Sequence, residues 1–88
     1  MINKVEFNKT FGSYLREVRI AKGLSQMDIA SLVGINAQNI SAIERGEVAP
    51  TLFWITKLCE GLKSDPQEFI NLFYNDWIKN TTHPLQQK

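Results

Sequence analysis

Apolar residues recur along this chain with the three-and-four spacing of helices, and no segment alternates as a half-buried strand would. Phe7, Phe11, Leu15 and Val18 share one stripe, which predicts a first helix over about residues 8–22, stopped by Gly23. Ile29 and Val33 stand four apart in a second helix, about 26–33, and Ile40 and Ile43 three apart in a third, about 37–43. Residues 46–50 read as a loop. A fourth helix over 51–62 is expected to bury Leu52, Ile55, Leu58 and Cys59. Asp65, Pro66 and Glu68 suit the N-cap, first and third positions of a fifth helix, which carries Phe69, Ile70, Phe73 and Trp77 to about Lys79. The pattern places one all-α domain on residues 7–80. Residues 81–88, polar and interrupted by Pro84, are expected to form a disordered tail.

The second and third helices carry the most specific signal. Ser25 suits an N-cap, with Asp28 three residues on, close to a capping box. Ala30 permits a close helix–helix approach, Gly34 stands where a left-handed C-cap belongs, and Asn36 is a good N-cap for the next helix. The side of the third helix opposite Ile40 and Ile43 carries Ala37, Gln38, Ser41, Ala42 and Arg45, all polar or small. A helix-turn-helix needs this division, with one helix bracing a second that offers a narrow face to the DNA major groove. An ordinary helical hairpin shares the apolar spacing, but it explains neither the small residues nor the amide-rich outer face.

Bulk properties narrow the function classes. Eighty-eight residues make one domain, and 43% hydrophobic with 22% charged residues is an ordinary globular composition. No apolar run is long enough to span a membrane and no signal segment opens the chain, so a cytoplasmic location is expected. Cys59 is the single cysteine and reads as a small core residue; within one chain it forms neither a disulfide nor a cysteine metal site. His83 is the single histidine and lies in the tail, which argues against a metal site or a nucleophilic triad. With no phosphate-binding glycine loop or paired catalytic acids, neither an enzyme nor a cofactor is expected. The net charge is only +1, with an excess of +3 in residues 1–24 against −2 in residues 25–62. So light a charge cannot rely on nonspecific attraction to phosphate. It points to backbone amides at helix N-termini and to a binding surface doubled by homodimerisation.

The segments LREVR at 15–19, KGLSQ at 22–26 and ISAIERGEVAPTL at 40–52 resemble the Cro and phage-repressor helix-turn-helix family, often called the Xre family. The resemblance runs from Phe11 to about Phe69 and implies a compact five-helix, lambda-repressor-like domain that binds operator DNA as a dimer. The small size is similar to that of the controller proteins of restriction-modification systems. The resemblance implies that Gln26, opening the second helix, meets a DNA phosphate, and the helix dipole argues independently for the same role. It also implies an ion pair between Arg19 and Glu44, with a structural role.

Asn36, Ala37, Gln38, Asn39, Ser41, Ala42 and Arg45 then form the candidate DNA face. Gln38 has the amide that pairs bidentately with adenine, and Ser41 suits either kind of base edge. Phage repressors often carry longer polar side chains at the positions of Ala37 and Ala42, so these alanines either touch a thymine methyl or serve only as helix formers. Asn39 and Arg45 are candidates for phosphate or base. Phe53 and Trp54 replace residues that are usually polar in the family. With Phe73, Tyr74, Trp77 and Ile78 they exceed what a minimal core requires and mark a candidate dimer interface. Packing within the monomer, or another protein bound through the C-terminal helix, are the alternatives. The leading function is a dimeric, sequence-specific transcriptional regulator acting as a repressor or as an autoregulatory controller. An antitoxin, or a protein-interaction module that has lost operator binding, are the competing readings.

Overall fold

The computed structural model describes residues 3–80, so the expected tail and its His83 lie outside the described residues. Five helices follow one another: α1 (Lys4–Ala21), α2 (Gln26–Val33), α3 (Ala37–Glu44), α4 (Leu52–Leu62) and α5 (Pro66–Asn80). No strand occurs among the described residues. Short polar side chains start these helices by taking up amides that have no intrahelical partner. Ser25 and Asp28 close a reciprocal capping box on α2, while Asn36 Oδ1 accepts from the Asn39 amide and Thr51 Oγ1 from that of Trp54. Helix α1 begins four residues earlier than the apolar stripe suggests. Asn3 caps it there, its Oδ1 accepting from the amides of Val5 and Glu6 at 2.9 and 3.2 Å.

The extra turn of α1 changes the fate of the C-terminal aromatics. Helices α1 and α5 run antiparallel and meet as an aromatic ladder: Phe7 on Trp77, Phe11 on Phe73 and Tyr14 on Phe69, with ring centroids 5.7, 5.4 and 5.0 Å apart. The Tyr14 hydroxyl also donates to the Phe69 carbonyl at 3.0 Å. Phe73 and Trp77 are therefore core residues, buried almost completely, and their assignment to a dimer surface is corrected. Each would forfeit its ladder partner on α1 by turning outward. Tyr74 remains partly exposed, and the side chain of Ile78 lies outside the described residues. Helix α4 shows the opposite correction. Leu52, expected inside, is 77% exposed, because the inward stripe of α4 begins only at Ile55 and continues through Leu58 and Cys59.

Helices α2 and α3 pack through Ile29, Ala30, Val33, Ile40 and Ile43, all buried. Between them Gly34 adopts a left-handed conformation, with φ 83°, that a side chain would strain. Helix α1 crosses the C-terminal end of α3 at Gly12, where a Cβ would lie 2.6 Å from the Glu44 carbonyl oxygen. Only glycine allows that approach. It brings the side chain of Glu44 within reach of Arg19.

Candidate nucleic-acid interface

Residues 44 and 45 end α3 with opposite charges and opposite surroundings. Glu44 turns inward, where its two oxygens accept from Arg19 Nε at 2.7 Å and Arg19 Nη2 at 3.0 Å. The remaining guanidinium nitrogen, Nη1, donates to the Leu24 carbonyl at 2.9 Å. The Glu44 carboxylate raises the Arg19 pKa further above its ordinary value, outweighing the desolvation that opposes it. The bridge locks α1, the α1–α2 connection and α3 into one frame. Glu44 also accepts from the Gln26 side-chain amide at 3.1 Å, so the residue expected on a phosphate is half-buried and held by protein. That bond uses one of the two hydrogens of the Gln26 amide. The backbone amides of Gln26 and Met27, first in α2, have no intrahelical partner and remain available to an anion.

On the outer side of α3, Asn36, Gln38, Asn39 and Arg45 are exposed, whereas Ser41 and Ala42 are half-buried. Ala37 is half-buried too, its methyl packed against the core, so it lies at the edge of the face. Gln38 projects from the first turn with no partner among the described hydrogen bonds, while the Asn36 side chain is occupied with capping. Asn39 borders a groove of about 200 Å³ with Ile43, Val48, Pro50 and Trp54. Beyond the groove Leu52 and Phe53 stand out into solvent.

Arg45 is not a free cation. Its Nε and Nη2 donate to the two oxygens of Glu47 at 2.9 and 3.0 Å, and its Nη1 donates to Ser41 Oγ. Glu47 did not emerge from the sequence reading, although an acidic residue two positions beyond a helix-ending arginine was a visible signal. Its carboxyl is held below the ordinary range by the hydrogen bonds from Arg45 and then by that residue's charge. Elsewhere, burial pushes the Cys59 thiol pKa up, with the charge of Asp65 adding to the effect, so the group is a poor nucleophile at neutral pH. Among the described residues, no group of three or more histidine, cysteine and acidic side chains is placed to hold a metal. No described helix is long and apolar enough to cross a membrane.

A short braced helix, a left-handed glycine turn and a second helix with a polar outer face define a helix-turn-helix DNA-binding unit. Residues 10–70 match a family described as a helix-turn-helix domain, almost the same span as the resemblance from Phe11 to Phe69. An HTH-type transcriptional regulator of Methanothermobacter thermautotrophicus is 32% identical over 65 residues, 74% of this chain and 94% of the relative. Among solved structures, the restriction-modification controller protein C.AhdI from Aeromonas hydrophila is 39% identical with a TM-score of 0.68, covering 73% of this chain and 97% of that one. An HTH_3 family transcriptional regulator from Vibrio cholerae is 32% identical with a TM-score of 0.73; the match covers 84% of this chain but only 40% of that protein. The chain belongs to the Xre-type helix-turn-helix family of DNA-binding transcriptional regulators, which are not enzymes.

Proposed function

We propose that the protein binds a two-fold operator as a homodimer, presents α3 to the major groove, and acts as a repressor or as an autoregulatory controller of its own promoter. The observation that carries this reading is the division of α3. Ile40 and Ile43 are buried on the side of α3 that packs against α1 and α2, while Gln38, Asn39 and Arg45 remain outside on a helix pinned by Glu44. In this reading Gln38 specifies sequence through its amide, and Ser41, Ala42 and Asn39 complete the contact surface. Gln26 positions the domain on phosphate with the free amides of α2. The likeness to a restriction-modification controller protein over nearly the whole of that protein supports the controller form of this reading.

Dimerisation is supported by the net charge of +1 and by unspent apolar surface at the start of α4. Leu52 and Phe53, 77% and 74% exposed, adjoin half-buried Trp54, and Val48 lies in the loop before them. Such a patch on an isologous face meets its own copy. Burial of Phe73 and Trp77 removes from α5 most of the aromatic surface on which an antitoxin role would rest. Sedimentation at micromolar concentration is expected to show a dimer for the wild type and a monomer for Phe53→Ala. Footprinting is expected to protect two successive major grooves on one face of the duplex, about 34 Å apart. A monomeric wild type, or full affinity for a single half-site, would refute the reading.

A further inference from the structure

The fork of Arg45 lies at the end of the DNA-reading helix, yet three of its five N–H groups are already committed. Two are donated to Glu47 and one to Ser41, leaving one hydrogen on each terminal nitrogen. The pair is more than half exposed on both sides, 55% for Arg45 and 57% for Glu47, so it sits where duplex DNA would approach. Both partners belong to the same surface: Ser41 is one turn back on α3, and Glu47 is in the loop just after it. The arrangement has two consequences. Ser41 Oγ accepts from Arg45, which leaves its hydroxyl hydrogen as the group to offer a base. The positive charge of Arg45 is matched by a full negative charge at hydrogen-bond distance.

We propose that Glu47 is a specificity-determining residue, which withholds the charge of Arg45 from phosphates of arbitrary sequence. The proposal rests on the reading of α3 as the DNA face. Affinity for random duplex grows with the number of phosphates a protein neutralises, each contact adding about 0.9 to the salt slope. An unpaired arginine at this position would add one such contact on any DNA. With Glu47 beside it, a phosphate must displace a bidentate carboxylate and approach that carboxylate's own charge. An operator meets the remaining two N–H groups and the Ser41 hydroxyl at base edges, without breaking the pair. Glu47 thus lowers nonspecific binding more than operator binding, and this suits a chain whose net charge is already close to zero.

The test uses the full chain as Glu47→Gln, Arg45→Gln and the double variant. Each binds a random duplex and an operator selected from random sequence, across 50–300 mM salt. Glu47→Gln is expected to tighten random-duplex binding roughly fivefold to tenfold near 0.1 M salt and to steepen its salt slope by about one. Operator affinity is expected to change less, so discrimination falls. The double variant is expected to return to the wild-type slope, because the effect runs through Arg45. An unchanged slope for Glu47→Gln, or a steeper slope that persists without Arg45, would overturn the proposal. Gln38→Ala, measured alongside, separates the two levels of the argument. If it leaves operator binding intact, α3 is not the reading helix and both ideas fall. If it weakens operator binding while Glu47→Gln changes nothing, only the role of Glu47 falls.

Discussion

Two arginine–glutamate bridges lie next to each other in this chain and do different things. Arg19–Glu44 and Arg45–Glu47 have nearly the same closest approach, 2.7 and 2.9 Å, and both are bidentate. The first has side chains 12% and 4% exposed; the second, 55% and 57%. Burial decides which of them is architecture. Around Glu44 little solvent reaches the pair, so loss of either partner leaves the other charge buried without its counter-ion and loosens the joint between α1 and α3. Around Arg45 water reaches both partners, so loss of either leaves the other hydrated and costs the fold little. The peptide bond between residues 44 and 45 separates a buried bridge that holds the scaffold from an exposed one on the proposed DNA face.

The largest expected effect follows from the inner bridge. Glu44→Ala should lower stability by about 3–5 kcal/mol, read as a shift in the urea unfolding midpoint, whereas Arg45→Ala should leave the midpoint where it is. Equal shifts for the two variants would erase the distinction. The aromatics sharpen the same contrast. Trp77→Ala should cost about 3–5 kcal/mol of stability, because it opens the α1–α5 ladder. Phe53→Ala should keep the midpoint of the monomer and lose the dimer. A Trp77→Ala protein of wild-type stability that fails to dimerise would restore the interface assignment corrected above.

Acid titration gives a smaller effect with a definite sign. The pKa of Asp28 is lowered from its ordinary 3.8, first by the hydrogen bond from the Ser25 backbone N–H and then by that from the Ser25 side chain. A depressed carboxylate contributes stability that is fully present above its unfolded value and is lost as the pH falls through the folded one. The stability difference between wild type and Asp28→Asn should therefore stay constant above pH 5 and shrink below about pH 4. A difference that persists undiminished to pH 2 would show that the capping box does not depend on the charge of Asp28.

Much of this was legible in the sequence because it rests on local chemistry. The α2–α3 turn follows from Ser25, Gly34 and Asn36, each of which acts within three or four residues of itself. The core stripe of Ile29, Val33, Ile40 and Ile43 follows from periodicity. The placement of Phe73 and Trp77 did not follow, because it depends on a nonlocal match with an α1 that Asn3 starts one turn early. Leu52 was misplaced for a related reason: its spacing from Ile55 fits the inward stripe, but the first residue of a helix lies at the rim of the packed surface. For the candidate site, the outward position of Gln38 followed from helical phase, and the ion pair of Arg19 with Glu44 from the family resemblance. The partnership of Arg45 with Glu47 and Ser41 depends on how the chain leaves α3, which the helical pattern does not encode.

The outer face of α3 has the proposed role of reading base sequence. Its most direct test is the binding of Gln38→Ala to a selected operator and to random duplex at one fixed salt concentration. A loss of roughly 1–3 kcal/mol is expected on the operator and almost none on random DNA. Equal losses on both, or no loss on the operator, would contradict it.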